Sequence, residues 1–346
     1  MAPKVSVLLP VYNVGPYIRE TITSILAQTF TDFELIVVDD LSTDNTVEVV
    51  QSFTDPRVQL LRNARNLGRA GTDNAGLEAV RGQYLAKMDG DDLCHPERLA
   101  RQVAFLDQHP EVNMVGSWAQ NFGASKYCHH YPEQPADAQV LTLFTLPTAN
   151  NAVMMHTSLF REQGMTYDAS LRQSEDYDFF VRYIRQIRLH NLQEALVYYR
   201  IPESVHKKVI LHERANVADD VRALLLREWN LRVTEREMRV YNTISMHGRT
   251  LGDITLSEVE ALLQKMLAHN QHTPLFDQAA LRRGLGERWF EVCYTHPQPR
   301  LGGWRYYHQS PLAAFWQPST TKRLRFFIKA AQDWNGPRKV VPTPAA

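Results

Sequence analysis

The chain has 346 residues and 44% hydrophobic content, enough for one large core or two moderate ones. Lys plus Arg and Asp plus Glu both number 38, so the formal charge is zero and nothing global points to a nucleic-acid partner. Met1 to Pro10 shows no export signal, and no stretch approaches the roughly 18 apolar residues of a spanning helix, so the expectation is a cytoplasmic protein.

Val5 to Val11 is nearly all apolar, as expected of a parallel strand covered on both faces, and Gly15-Pro16 opens a helix carrying Ile18, Ile22, Ile25 and Leu26. Phe33 to Val38 is a second buried strand ending at Asp39-Asp40, and Ser42-Thr43-Asp44 supplies caps for a helix with Val47, Val50 and Phe53. Val58 to Leu61 makes a third strand, and Asn66-Leu67-Gly68 turns into a helix running to about Val80. Tyr84 to Met88 is a fourth strand that stops at Asp89-Gly90-Asp91-Asp92. The alternation predicts an α/β fold with a doubly wound, mostly parallel, Rossmann-like sheet, in which both acidic clusters share the carboxyl edge where such sheets bind ligands.

Three carboxylates within four residues repel one another and call for a cation. Mg²⁺ or Mn²⁺ takes oxygen ligands and shares its shell with substrate phosphates, so this edge suits a metal-bound diphosphate; an ordinary Asp-Gly-Asp turn is the alternative. A calcium loop opening at Asp89 requires Gly and Glu where the chain has Cys94 and Ala100. Tyr12-Asn13-Val14-Gly15-Pro16 offers one glycine where dinucleotide binding needs three, and no Walker A loop is present.

Pro96 to Leu106 reads as a helix and Val112 to Ser117 as a strand. Phe122 to Pro147 reads as a long loop with a short helix near Asp137 to Phe144. Within it, Cys128-His129-His130 lacks the second ligand pair of a zinc site, and three cysteines without a CxxC fit a reducing compartment. Ala152 to Phe160 is strand-like, Gly164 to Leu171 a turn region, and Ser174 an N-cap placing Glu175 and Asp176 in a first helical turn, where the helix dipole alone would account for them. From Leu211 onward the period is helical, with Val217, Val221, Leu224 and Leu225 followed by Leu256, Val259, Leu262, Leu263, Met266 and Leu267, which divides the chain into 1–210 and an appended helical region, 211–346. Lys322, Arg323, Arg325 and Lys329 alternate with Leu324, Phe326, Phe327, Ile328 and Trp334, the pattern of a basic amphipathic helix at the inner face of a membrane. Trp304, Tyr306, Tyr307, Phe315 and Trp316 add aromatic material, and Val340 to Ala346 reads as a disordered tail.

Six segments in order, VSVLLPVYN from Val5, LAQTF from Leu26, VDDLSTD from Val38, Asn66-Leu67-Gly68, Asp89-Gly90-Asp91-Asp92 and Glu175-Asp176-Tyr177-Asp178, resemble family 2 of the glycosyltransferases. The resemblance covers roughly residues 4–200. It implies the GT-A fold, a nucleotide-diphosphate sugar donor with a UDP-sugar favoured, divalent Mn²⁺ or Mg²⁺, inversion at the anomeric carbon, and a glycan or lipid-linked glycan acceptor in bacterial surface polysaccharide synthesis. Carried over by residue, Pro10, Tyr12, Asn13, Asp39, Asp40, Gly68, Arg69, Asp89 and Gly90 contact the donor. Asp91, with Asp89 and His206, holds the metal; Asp176 is the base, with Glu175 beside it; Asp92 is an orienter or a ligand. Two departures stand out: Asp73 precedes Asn74 where relatives often carry Arg, with Arg69 as its substitute, and Ile201-Pro202 follows Tyr199-Arg200 where a His is usual. They leave open a non-catalytic nucleotide-sugar-binding or scaffold protein; a nucleotidyltransferase, releasing pyrophosphate, shares the sheet and metal.

Overall fold

The structure is a computed structural model that describes residues 2–201, 207–246, 250–295 and 301–332. The chain forms two compact units, Met1–Leu225 and Leu226–Ala346. In the first, β1 (Val5–Val11) is buried at every position, as an apolar run between two helical layers must be. It is followed by α1 (Ile18–Leu26), β2 (Phe33–Asp39), α2 (Thr46–Gln51), β3 (Val58–Arg62), α3 (Gly68–Leu77), β4 (Tyr84–Lys87), β5 (Leu93–Cys94) and α4 (Arg98–Gln108). Helix α1 buries Ile18, Thr21, Ile22 and Ile25 at a 3.6-residue period. Between α3 and β4 the chain passes so close to β1 that a Cβ on Gly82 would stand 2.6 Å from the Ser6 nitrogen.

Then come β6 (Met114–Gly123), β7 (Cys128–His129), α5 (Pro135–Leu141), β8 (Met154–His156), α6 (Ser158–Arg161), α7 (Glu175–Arg182) and β9 (Leu189–Ile201). The sheet runs β3-β2-β1-β4-β8-β6-β9-β5, with β7 paired to β6. The β3-β2-β1-β4 half is parallel; β8 enters antiparallel, and β6 and β9 are parallel again. This is the α/β, GT-A type architecture expected.

Local details differ. Beyond Ser117 the chain stays extended to Gly123 and returns through Cys128–His129, so part of the expected loop is a hairpin. The strand expected over Ala152 to Phe160 is confined to Met154–His156 and gives way to α6, and α3 ends at Leu77. Helix α8 (Lys207–Glu228) spans position 210, the boundary read from the sequence.

The second unit holds α9 (Glu235–Ser245), α10 (Leu256–His272), α11 (Gln278–Thr295), α12 (Gly302–Gln309) and α13 (Thr320–Gln332). Capping boxes at Thr234/Glu237 and Thr255/Glu258 start α9 and α10. The C-terminal aromatics turn inward: Phe290 meets Tyr307, Trp316 and Phe326 at ring distances of 5.2–5.5 Å. Among the described residues no helix is long and apolar enough to cross a membrane.

Candidate active site

Strand register brings the acidic clusters to one edge. Val11 pairs with Asp39 and Leu8 with Lys87, so the loops after β1, β2 and β4 leave the sheet side by side. The loop after β1 carries Tyr12, half exposed, and Asn13, whose left-handed φ of 52° turns its side chain to accept the Thr43 N–H at 2.8 Å. Pro10 is buried in β1, and Gly90 sends its carbonyl to the Thr21 hydroxyl at 3.0 Å.

Asp39 is fully buried and accepts the Ser42 N–H and the Arg62 guanidinium, each at 3.2 Å. Asp40 accepts the Leu67 N–H at 2.7 Å, the Gly68 N–H at 2.9 Å and the Asn63 amide at 2.8 Å. It thereby braces the Asn-Leu-Gly turn, where Gly68 takes a φ of 71° that favours glycine. Arg69, one residue on, then reaches the acidic cluster.

In that cluster the three carboxylates have different surroundings. Asp89 is ion-paired with Arg69. Asp92 is buried, accepts the Arg200 N–H at 2.7 Å and the Asn151 amide, and is pushed up to about 8 by burial and by Asp89 and Asp91. It is an orienter. Asp91 is raised by burial and then by Asp89, while its carbonyl is held by Arg200 Nε at 2.7 Å. Arg200 also reaches Glu20 at 2.8 Å and packs its guanidinium on Tyr17 and Phe122.

No three His, Cys, Asp or Glu side chains gather as a metal cage among the described residues. A hard divalent cation that keeps water and phosphate ligands needs one or two carboxylates, and Asp91, raised by burial and then by Asp89 beside it, is chemically suited. His206 lies outside the described residues.

Glu175 and Asp176 open α7, but Ser174 does not act as the expected side-chain cap. It enters the helix with a φ of 61° and makes no capping bond; Asp176 instead accepts the Tyr177 N–H at 2.7 Å. Glu175 is pushed up to about 7 by burial and by Asp176, with Arg69 opposing the shift. Arg69 is held well above its usual range, because Asp89 and Asp73 outweigh its burial, and Glu175 adds to them. One guanidinium thus feels both acidic clusters. The hydroxyl of Tyr131, just after β7, is raised by burial and then by Asp176.

Two residues absent from the sequence-based site complete it. Lys87 and Asp73, both fully buried, are ion-paired, and Asp73 also faces Arg69 Nε at 3.5 Å. Burial lowers Lys87, and Asp73 opposes this.

Residues 6–165 match the family described as Glycosyl transferase family 2. The chain is 35% identical over 209 residues to the Bacillus subtilis protein named "Putative glycosyltransferase EpsE", covering 58% of this chain and 73% of that one. The chain belongs to glycosyltransferase family 2. An uncharacterized glycosyltransferase of Haemophilus influenzae is 29% identical over 70% of this family 2 chain and 79% of its own. The fold is shared with S. aureus TarS 1-349, solved in complex with UDP-GlcNAc, at a TM-score of 0.55 and 18% identity over 96% of this chain and 90% of that one. It is also shared with mannosyltransferase PcManGT of Pyrobaculum calidifontis, solved with GDP-Man and Mn²⁺, at a TM-score of 0.50 and 17% identity over 97% and 88%.

Proposed function

We propose that this glycosyltransferase is inverting and metal-dependent, moving a sugar from a nucleotide-diphosphate sugar, with UDP favoured, to a hydroxyl of a glycan or lipid-linked glycan during bacterial surface polysaccharide synthesis. The observation that carries the reading is Arg69, paired with Asp89 on one side and within electrostatic reach of Glu175 on the other. TarS and PcManGT, solved with UDP-GlcNAc and GDP-Man, support a donor of this class.

In this reading Tyr12 stacks on the base, Asp39 and Asn13 frame it, and Asp40 with Gly68 fixes the loop that presents Arg69 to the phosphates. Asp176 accepts the proton of the attacking hydroxyl, an effect worth about 10²- to 10⁴-fold. Glu175, with its proton held up to about 7, donates a hydrogen bond to a sugar hydroxyl. Asp91, supported by Asp89, would hold Mn²⁺ or Mg²⁺, which when bound supplies positive charge against the leaving diphosphate.

UDP release from UDP-sugars with Mn²⁺ tests the reading. Release should vanish in Asp91→Ala and Asp176→Asn, with UDP binding retained in the latter. Full activity in Asp176→Asn, or pyrophosphate as product, overturns it. We further propose peripheral membrane contact through α13, where Leu324, Phe327 and Ile328 are exposed beside Lys322, Arg323 and Arg325. Replacing the three apolar residues by Ser should abolish sedimentation with anionic vesicles, and unchanged sedimentation refutes the contact.

A further inference from the structure

Lys87 is the last residue of β4, inside a sheet whose neighbouring positions are apolar, and it is fully buried together with its partner Asp73 on α3. Burying two charges costs several kcal/mol before their attraction is counted, and apolar side chains of similar size would fill the space more cheaply. The position of the pair explains what the charges achieve. Asp73 Oδ1 is bound by the Lys87 ammonium, which leaves Oδ2 facing Arg69 Nε at 3.5 Å, one helical turn away. The same guanidinium extends its Nη2 to Asp89. The Tyr167 ring covers the ammonium at 4.6 Å from its centroid, and the Tyr167 backbone is itself fastened to the side-chain amide of Asn74, the residue after Asp73, by two bonds of 2.8 and 3.0 Å.

The result is a chain of alternating charge, Lys87, Asp73, Arg69, Asp89, whose first two members are sealed and whose last two, at 31% and 22% exposure, reach the candidate site. Without Lys87, both oxygens of Asp73 would compete for the guanidinium and draw it inward, away from Asp89. Without Asp73, Arg69 would keep a partner only at its tip. Arg69 points at the donor edge because its Nε is held from behind while its Nη2 is held from the side.

We propose that Lys87 and Asp73 are positioning residues for donor binding: the buried pair fixes Arg69 against Asp89 so that the guanidinium meets the phosphate-sugar portion of a nucleotide-sugar. The inference rests on the nucleotide-sugar reading above, and it gives Asp73 a supporting role at the position where relatives often carry Arg. Both residues act through Arg69 and touch no donor atom.

The test uses the full chain and two probes, UDP-GlcNAc and UDP, each titrated calorimetrically with MnCl₂ present. Asp73→Asn and Lys87→Met each strand one buried charge and can unfold the protein, so the decisive variant is the neutral double Asp73→Asn/Lys87→Met, with folding verified by circular dichroism. It should bind UDP-GlcNAc about tenfold more weakly, the size typical of losing a supporting partner. In an Arg69→Met background the same double substitution should change affinity no further, a result that a purely structural role would not give. Parental affinity in the folded double variant, or an equal additional loss without Arg69, overturns the positioning role. A parent protein that binds neither probe overturns the donor reading itself, which separates the two failures.

Discussion

Asp40→Asn is the substitution whose cost can be worked most directly. The carboxylate serves Leu67 N–H and the Asn63 amide through Oδ1 and Gly68 N–H through Oδ2. Asparagine keeps one acceptor oxygen. With that oxygen toward Leu67 and Asn63, its amide nitrogen meets the Gly68 N–H donor to donor. A bond to a charged group is worth about 1.5–3 kcal/mol, and the two retained bonds lose their charge assistance. The Gly68 N–H has a second acceptor in Asn66 Oδ1 at 3.2 Å, which offsets part of the loss. The net cost is about 2 kcal/mol, confined to the turn that starts α3. In a chain of two compact units a local measurement is preferable to a global midpoint. Hydrogen exchange at the amides of Leu67 and Gly68 should accelerate about thirtyfold, while those of α9 and α10 keep their parental rates. Unchanged exchange at Leu67 and Gly68 would refute the assignment of Asp40 as the brace of this turn.

Glu175 gives a pH test. Its folded-state pKa is raised from 4.5 to about 7, so the folded protein retains a proton that the unfolded chain releases, and stability falls as pH rises through that window. The ligand-free protein should lose up to about 3 kcal/mol from this group between pH 4.5 and 7, and Glu175→Gln should flatten that part of the profile in denaturant titrations; parallel profiles for the two proteins contradict it. Gly82→Ala places a methyl 2.6 Å from the Ser6 nitrogen and 2.9 Å from the Tyr84 carbonyl oxygen, backbone atoms that cannot rotate away, so a loss of about 1–3 kcal/mol is expected by thermal unfolding and none would mean β1 and β4 can separate. Arg200→Met keeps the amide bond to Asp92 but frees the Asp91 carbonyl, and the thermal stabilisation by UDP with Mn²⁺ should shrink; an equal shift shows that the clamp does not reach the ligand.

The parallel half of the sheet was legible because strands buried on both faces must be continuous apolar runs, and the acidic residues that end β2 and follow β4 mark its carboxyl edge. The other half was not. Strand β9, LHNLQEALVYYRI, mixes buried and half-buried positions without a clean period, and its pairing with β6 shifts register near Trp118. Ser174 followed by two acids has the composition of a cap, yet the left-handed entry that the backbone takes there has no signature in those letters. Lys87 is the instructive case. A charged residue in an apolar run just before three carboxylates is visible in the sequence, but the carboxylate that neutralises it is on another element, and Asp73 read alone looks like a missing Arg rather than a counter-charge.

The paired bonds between Asn74 and the Tyr167 backbone join positions 93 residues apart. During synthesis the ribosome therefore delivers Lys87 and Asp73 long before the ring that roofs them, and until then water must solvate both charges. Grafting the first four strands alone onto another scaffold would transplant an ionic knot without its lid, so exchange of N-terminal halves between relatives must carry the segment through Tyr167 as one piece.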